Sequence, residues 1–204
     1  MTQIPLRLEQ QLRFIVELDR LKSILRHTTV MDRSRRENSA EHSWHVVLMA
    51  VILAEHAPSE LDLLRTMKML LIHDVVEIDA GDAFCYDDTA NFGKEDRERE
   101  AAERLFGVLP EEQAEEMRAL WEEFEAGDTA EARFSVVIDR LQPLLQNHQS
   151  EGGTWRMHGV TRAQILRRMA PIHADAPDLW PVVLKVMDEM CAKGYVQTGS
   201  TSDR

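Results

Sequence analysis

The chain has 204 residues, of which 44% are hydrophobic and 29% are charged, and this length and composition are typical of one globular domain with a sizeable core. The formal net charge of −12 argues against binding to the nucleic-acid backbone, which requires a basic surface. No apolar run approaches the roughly 20 residues of a membrane helix, and the N-terminus lacks a secretory signal. Two cysteines, Cys85 and Cys191, are too few for a disulfide framework and favour a reducing cytoplasm.

Helical periodicity and helix-terminating residues recur along the chain, whereas the alternation typical of strands is almost absent. The predicted helices cover about residues 6–26, 38–56, 61–79, 94–106, 110–127 and 128–147, with two more after Thr161 and Pro177. A long loop at 80–93 separates the third helix from the fourth, and loops of this length often carry function. We therefore predict an all-α fold, with a single domain of about seven to eight helices at 1–195 and a flexible tail at 196–204.

The third predicted helix contains the stretch "LLIHDVVEIDAGD", in which a histidine and carboxylates are set into an apolar sequence. On a helical wheel the apolar residues of 69–78 cover the full circumference, which is typical of a buried helix. His73, Asp74 and Glu77 instead fall within about a 100° arc, because Glu77 follows the other two by three or four positions. Such a buried cluster needs a compensating positive charge, and a single divalent metal ion would supply it. The structural alternative is a His–Asp hydrogen bond within the core.

Two other predicted helices carry isolated polar residues at comparable places. His42 lies in the first turn of the second helix, four residues after the predicted cap Asn38. Asp139 is a single carboxylate within the apolar run 136–141, and Pro143 follows it by four positions. Because proline has no N–H to donate to the carbonyl of Asp139, a kink is predicted there.

The order and spacing of these residues resemble the HD superfamily of metal-dependent phosphohydrolases. The segments "ENSAEHS", "LLIHDVVEIDAGD" and "VVIDRLQ" are similar, more specifically, to the branch of the bacterial 5'-deoxynucleotidases and the eukaryotic HD-domain-containing protein 2. The resemblance covers about residues 18–147. It implies an HD-domain helical bundle that cleaves nucleoside 5'-monophosphates, including 2'-deoxy ones, to nucleoside and phosphate.

The resemblance assigns the metal ligands residue by residue as His42, His73, Asp74 and Asp139. Two imidazoles and two carboxylates suit a borderline or hard divalent ion, and they do not distinguish Mn, Co, Zn, Fe and Mg. No histidine occurs between His73 and His148, whereas binuclear members of the superfamily supply further histidines in that interval. One divalent metal ion per chain is therefore expected.

The resemblance also assigns residues to catalysis and substrate binding. Glu77 matches the catalytic acid and Asp82 a second family acid, for which a helix-terminating turn beside a glycine is the structural alternative. Arg26 matches the phosphate-binding arginine and Arg35 a second basic position, and plain surface charges are the alternative for both. His27 stands where the bacterial deoxynucleotidases have a tryptophan that helps to exclude ribonucleotides, so the resemblance does not extend to selectivity for the deoxy sugar.

The implied partners are a small nucleotide substrate and a second copy of the chain in a homodimer, with no membrane and no nucleic-acid polymer. Three other functions stay open: hydrolysis of a phosphodiester, a nucleoside triphosphate or an alarmone; an iron-dependent oxygenase; and a non-catalytic helical module. Phe84, Tyr86 and Trp155 are candidates for stacking on a base. The charged run at 94–103 is predicted to be a solvated helix face.

Overall fold

The computed structural model describes residues 3–57, 60–87, 89 and 92–198. Its secondary structure is mainly helical, and the α-helices are α1 (Leu6–Leu18), α2 (Ser39–Leu53), α3 (Leu63–Ile72), α4 (Glu77–Ala80), α5 (Lys94–Phe106), α6 (Glu111–Ala126), α7 (Ala130–Gln149), α8 (Gly153–Met157), α9 (Arg162–Arg168), α10 (Ala170–Asp175) and α11 (Trp180–Ala192). Each predicted helix has a counterpart among them, and the additional helices α4, α8 and α10 have four to six residues. The predicted all-α bundle is confirmed.

The first predicted helix, at 6–26, is too long. Helix α1 ends at Leu18, a 3₁₀ turn follows at Asp19–Ser23, and the chain then forms β1 (Leu25–Thr29). Strand β1 pairs antiparallel with β2 (Arg36–Asn38), with Leu25 opposite Asn38 and Thr29 opposite Arg36. The guanidinium of Arg36 donates to backbone carbonyls of β1. This hairpin carries too few alternating apolar residues to be recognised as strands.

The third predicted helix is also interrupted. Helix α3 ends at Ile72, and the next backbone hydrogen bonds connect residues three apart, as in Glu77 to Asp74 and Ile78 to Val75. Helix α4 then ends at Gly81, whose φ of +76° is readily adopted by glycine. The prediction of a continuous helix through residue 79, apolar and buried on all sides, is therefore wrong in detail, and the side chain of Leu71 is exposed.

Two hydrophobic clusters fill the interior and meet at this interrupted segment. The larger cluster surrounds α7 and includes Met69 and Leu70 of α3. The smaller cluster packs α1, α5 and α6 against Val75, Val76 and Ile78. The segment between α3 and α4 is therefore held by apolar contacts from both sides, which fixes the positions of the polar residues within it.

Two residues of the predicted tail, Val196 and Gln197, contact the rest of the domain. Val196 is buried, and the carbonyl of Gln197 accepts a hydrogen bond from the backbone of Arg162. The rest of the predicted tail, from residue 199 onward, lies outside the described residues. Within the described part of the chain, no helix is both long and apolar enough to cross a membrane.

Candidate active site

The structure brings the side chains of three separate elements to one point. Helix α2 begins with a capping box between Asn38 and Glu41, which places His42 in its first turn, fully buried. His73 directly follows α3, and Asp139 lies in the middle of α7. One ligand atom from each of His42, His73 and Asp139 lies within 4.8 Å of the other two. This is a geometry in which a metal ion can be held.

The hydrogen bonds behind the two histidines point both Nε2 atoms toward Asp139 Oδ1, which lies 3.1 Å from His42 Nε2 and 3.5 Å from His73 Nε2. His73 Nδ1 lies 2.9 Å from the carbonyl of Leu70 and donates to it. His42 Nδ1 lies 3.2 Å from Gln142 Oε1 and donates to that amide oxygen. In a neutral imidazole this leaves the lone pair on Nε2, which is the arrangement found behind metal-ligating histidines. His73 Nε2 is buried and has no hydrogen-bond partner in the described residues, so the donor set fits a metal.

Asp74, the fourth predicted ligand, lies beside these atoms. Its Oδ1 is 3.1 Å from His73 Nε2, and its Oδ2 is 3.7 Å from His42 Nε2. The same Oδ2 accepts a hydrogen bond of 2.5 Å from Arg26 Nη1. The structure therefore brings all four predicted ligands together, with Asp74 shared between the ligand cluster and an arginine.

The carboxylates and imidazoles of the cluster strongly perturb one another. Although burial favours its neutral form, the hydrogen bond from His42 and the adjacent imidazole of His73 hold the pKa of Asp139 well below its usual range. Burial disfavours the charged imidazolium of His73, but Asp74 and Asp139 outweigh it and raise the pKa of His73 to about 9. The cluster therefore attracts positive charge, whether protons or a cation.

Arg26 and Glu77 lie next to the ligands. Arg26 belongs to β1, so the hairpin that the sequence did not predict delivers this side chain to the site. Arg26 Nη1 is 3.9 Å from Glu77 Oε1. Arg26 Nε is buried and has no hydrogen-bond partner among the described residues. Glu77 Oε2 accepts a hydrogen bond of 2.6 Å from the hydroxyl of Ser39. Burial and the nearby charge of Asp74 raise the pKa of Glu77 to about 8, which suits a group that exchanges protons near neutral pH.

Asp82 and His27 face the same cavity. The backbone N–H of His27 donates to Asp82 Oδ2 over 2.9 Å, so the hairpin also fixes the second acidic residue. The His27 ring packs against Phe84, with 5.3 Å between ring centroids, and Phe84 packs against His158 at 4.5 Å. His27 is thus one member of an aromatic cluster at the wall of the cavity.

Arg35 lies away from the ligand cluster and does not line the cavity. Its guanidinium is more than half exposed and forms a two-pronged pair with the carboxylate of Glu41. It occupies the surface position that was the alternative to a role in phosphate binding. We therefore leave it out of the proposed site.

The cavity above the ligands has a volume of about 400 Å³, which lies within the range of small-molecule sites. Arg26, the catalytic candidates and three of the four ligands line it, as do Phe84, Tyr86 and Trp155. Its lining also includes Arg140 and Arg168. Burial, together with the neighbouring charge of Arg168, lowers the pKa of Arg140 to about 10.

Sequence reasoning missed a buried network behind the ligands. Glu37, on β2, is only 3% exposed. Its Oε1 accepts hydrogen bonds from the amides of Gln142 and Gln146, over 2.7 and 2.6 Å. Its Oε2 lies 3.8 Å from Arg26 Nε and 3.6 Å from His42 Nδ1. Glu37 thereby connects the ligand helix α7 to the phosphate-binding candidate.

The prediction that the charged run 94–103 is a solvated helix face is wrong for two of its charged residues, Lys94 and Glu98. Lys94 and Glu98 line the cavity and form an ion pair of 3.1 Å, and Glu98 is 6% exposed. The available signal was the spacing of Glu98 with Ala101, Ala102 and Leu105, all buried on one face of α5.

Comparison with known proteins agrees with this architecture. The chain matches the HD domain family over residues 18–180. It is 30% identical over 141 residues to the human 5'-deoxynucleotidase HDDC2, covering 69% of this chain and 68% of the human protein. The bovine 5'-deoxynucleotidase HDDC2 is likewise 30% identical over 142 residues, covering 69% of this chain and 67% of the bovine one.

Solved structures give the same picture. A crystal structure described as a predicted metal-dependent phosphohydrolase from Magnetospirillum magnetotacticum MS-1 is 52% identical, covers 95% of this chain and 99% of its own, and superposes with a TM-score of 0.91. A conserved hypothetical protein from Pyrococcus furiosus, at 20% identity, covers 89% of this chain and 99% of its own with a TM-score of 0.60, which shows a shared fold alone. The chain therefore belongs to the HD-domain family, in the branch that includes the 5'-deoxynucleotidase HDDC2 proteins.

Proposed function

We propose that this protein is a metal-dependent phosphohydrolase that cleaves nucleoside 5'-monophosphates to nucleoside and phosphate. The observation that carries the proposal is the convergence of two imidazole nitrogens, two carboxylates and the Arg26 guanidinium at the edge of one cavity. The related 5'-deoxynucleotidases support the same class of substrate.

We propose that His42, His73, Asp74 and Asp139 hold one divalent metal ion per chain. The buried, unpartnered Nε2 of His73 and the hydrogen bonds that orient both imidazoles support this assignment. When bound there, the ion supplies a Lewis acid and lowers the pKa of water. No histidine lies between His73 and His148, which supports a single ion.

The proposed role of Arg26 is to bind the phosphate. Its guanidinium is already held in place by Asp74 and faces the cavity, so little side-chain entropy is lost when oxygen acceptors arrive. A guanidinium donates in a planar fork that matches two phosphate oxygens. Arg26 therefore offsets the negative charge of the monoester and aligns its phosphorus for attack.

The proposed role of Glu77 is proton transfer. Attack of water on phosphorus forms a new P–O bond and breaks the bond to the 5'-oxygen, so the water loses a proton and the leaving oxygen gains one. A carboxyl with a pKa raised to about 8 can hold that proton between the two events. The hydroxyl of Ser39 orients Glu77 by its hydrogen bond to Oε2.

The sugar is proposed to lie beside Asp82 and His27. Asp82 is fixed by the His27 backbone and lines the cavity, where its carboxylate can accept from a ribose hydroxyl or orient water. The imidazole of His27 is smaller than the tryptophan of the bacterial deoxynucleotidases, so we include both ribose and 2'-deoxyribose monophosphates in the proposed class.

The test is phosphate release from a panel of ribo- and deoxyribonucleoside 5'-monophosphates, with Mn²⁺, Co²⁺, Zn²⁺, Fe²⁺ or Mg²⁺ added to metal-free protein. Turnover of monophosphates that EDTA abolishes supports the proposal. The same panel includes a phosphodiester, nucleoside triphosphates and an alarmone. Turnover of one of these without turnover of any 5'-monophosphate would overturn it.

The proposal includes a cytoplasmic homodimer. Cys85 and Cys191 form no disulfide, which fits a reducing compartment. On α2 an exposed apolar row of Trp44, Leu48 and Ile52 follows the four-residue repeat of one helix face, and such a row suits contact with a second copy. Light scattering gives the oligomer size, and a monomeric mass at the assay concentration contradicts the dimer.

A further inference from the structure

Two arginines line the cavity, and neither forms an ion pair with a described residue. The arginine pair consists of Arg140 on α7 and Arg168 at the end of α9, and both line the cavity. Among the described residues, no carboxylate forms an ion pair with either guanidinium, whereas the other cations of the cavity, Arg26 and Lys94, each have one. Two neighbouring guanidinium groups repel each other and are costly to bury without acceptors.

The donors of the pair are only partly used. Arg140 Nη1 donates to the backbone carbonyl of Arg168 over 3.0 Å, which holds the two residues together. Arg140 Nε is buried and has no hydrogen-bond partner within the described part of the chain. A buried donor without a partner is unfavourable, and acceptors at the guanidinium offset the repulsion between the two arginines. The unused donors therefore favour a ligand with acceptor atoms.

The pair and the phosphate-binding candidate Arg26 are presented by different elements of the fold. Arg26 reaches the ligand cluster from the hairpin side through Asp74. The arginine pair instead lies beside Tyr86, and Trp155 lines the same cavity. With the 5'-phosphate at Arg26, the remainder of a nucleotide extends toward this aromatic wall, where a base can stack. The pair then faces the part of the substrate that is remote from the reaction.

We propose that the arginine pair is a second substrate subsite, which binds an acceptor-only group remote from the scissile phosphate. This inference rests on the proposed function and deepens it. Because guanidinium donates five hydrogen bonds and accepts none, the subsite favours a base carbonyl or a second phosphate and disfavours an exocyclic amino group. A base carbonyl predicts a preference for keto bases over amino bases. A second phosphate predicts a preference for nucleoside 3',5'-bisphosphates.

Matched substrates isolate this contact. At position six of the purine, dIMP carries a carbonyl oxygen and dAMP an amino group. At position four of the pyrimidine, dUMP carries a carbonyl oxygen and dCMP an amino group. The measurement is kcat/KM for each member, together with kcat/KM for a nucleoside 3',5'-bisphosphate against its 5'-monophosphate. We expect a preference of about tenfold or more for the keto member of each pair, or for the bisphosphate.

Variants assign the preference to the arginines. Arg168→Gln removes the charge, and its amide can donate or accept, so the preference should fall to about twofold or less. Arg167→Gln is the matched control, because this exposed neighbour does not line the cavity. Arg140→Gln is the second variant, and thermal unfolding shows that each variant is folded.

The proposed function and the proposed subsite can be refuted independently. If no 5'-monophosphate releases phosphate, the proposed function is wrong. If monophosphates are cleaved but every pair, including the bisphosphate pair, is turned over equally, the subsite inference is wrong and the proposed function stands. A preference that survives unchanged in Arg168→Gln and Arg140→Gln also overturns the subsite, because it then arises elsewhere in the cavity.

Discussion

The amide of Gln142 connects the buried carboxylate of Glu37 to the ligand His42. Its Nε2 donates to Glu37 over 2.7 Å, and its Oε1 accepts from His42 Nδ1 over 3.2 Å. Gln142→Met keeps the length of the side chain and removes both hydrogen bonds. His42 is fully buried, so its Nδ1–H then loses its hydrogen bond, at a cost of about 1–3 kcal/mol. The ring recovers this energy by rotating toward Glu37 Oε2, which lies 3.6 Å from Nδ1, or by moving its proton to Nε2, and either change misdirects the lone pair that would bind the metal.

The expected loss of metal affinity for Gln142→Met is about 10–100-fold, as for other groups that orient metal-ligating histidines. This corresponds to about 1.4–2.7 kcal/mol, which agrees with the cost of the unpaired N–H. Calorimetric titration of metal-free protein with Zn²⁺ or Mn²⁺ measures it. The control is Gln149→Met at the exposed end of the same helix. A folded Gln142→Met protein whose metal affinity is within twofold of the wild type would refute the argument that Gln142 fixes the tautomer.

Three further substitutions test the proposed roles. Asp74→Ala should abolish metal binding and activity with unchanged far-ultraviolet circular dichroism, and retained activity contradicts the ligand assignment. Glu77→Gln should keep the metal and lower kcat by about 10²–10⁴. Because the pKa of Glu77 is raised from 4.5 to about 8 on folding, its stabilisation of the metal-free protein is present below about pH 4.5 and is lost as the pH rises to about 8. Thermal unfolding should therefore show a smaller decline over that window in Glu77→Gln than in the wild type. Arg26→Lys, which loses the planar fork, should raise KM for 5'-monophosphates roughly tenfold, and an unchanged KM contradicts phosphate binding by Arg26.

The helices were predictable because each carries local signals. Capping residues and apolar periodicity located α2, α5, α6 and α7 within a few residues of their observed ends. The β1–β2 hairpin was not predictable, because its strands have no alternating apolar face and are joined by a loop in which Arg33 has a φ of 66°. Its conformation depends on contacts of β1 with α7, which is about one hundred residues away in sequence, and such contacts override local propensity.

The candidate site shows the same division between local and distant information. His42, His73, Asp74 and Asp139 stand out because each is a polar residue in an apolar helical segment, and the family resemblance orders them. Glu37 gives no such signal, since it precedes a helix cap and resembles an ordinary exposed strand residue in the sequence. Glu37 is buried because β2 packs against Gln142 and Gln146, which are 105 and 109 residues away in the chain. No local sequence pattern indicates this contact.

The break after α3 explains why Asp74 and Glu77 both face Arg26. On a regular α-helix residues three apart are separated by about 60° around the axis, whereas with the hydrogen bonds of a 3₁₀ turn they are eclipsed. The backbone of Glu77 donates to the carbonyl of Asp74, and both carboxylates lie within 4 Å of Arg26 Nη1, at 2.5 and 3.9 Å. The apolar residues Val75, Val76 and Ile78 anchor the turn in the smaller cluster. The apolar sequence around the acids therefore sets the local helical pitch, and through it the spacing between the predicted ligand Asp74, the proposed proton carrier Glu77 and the proposed phosphate-binding residue Arg26.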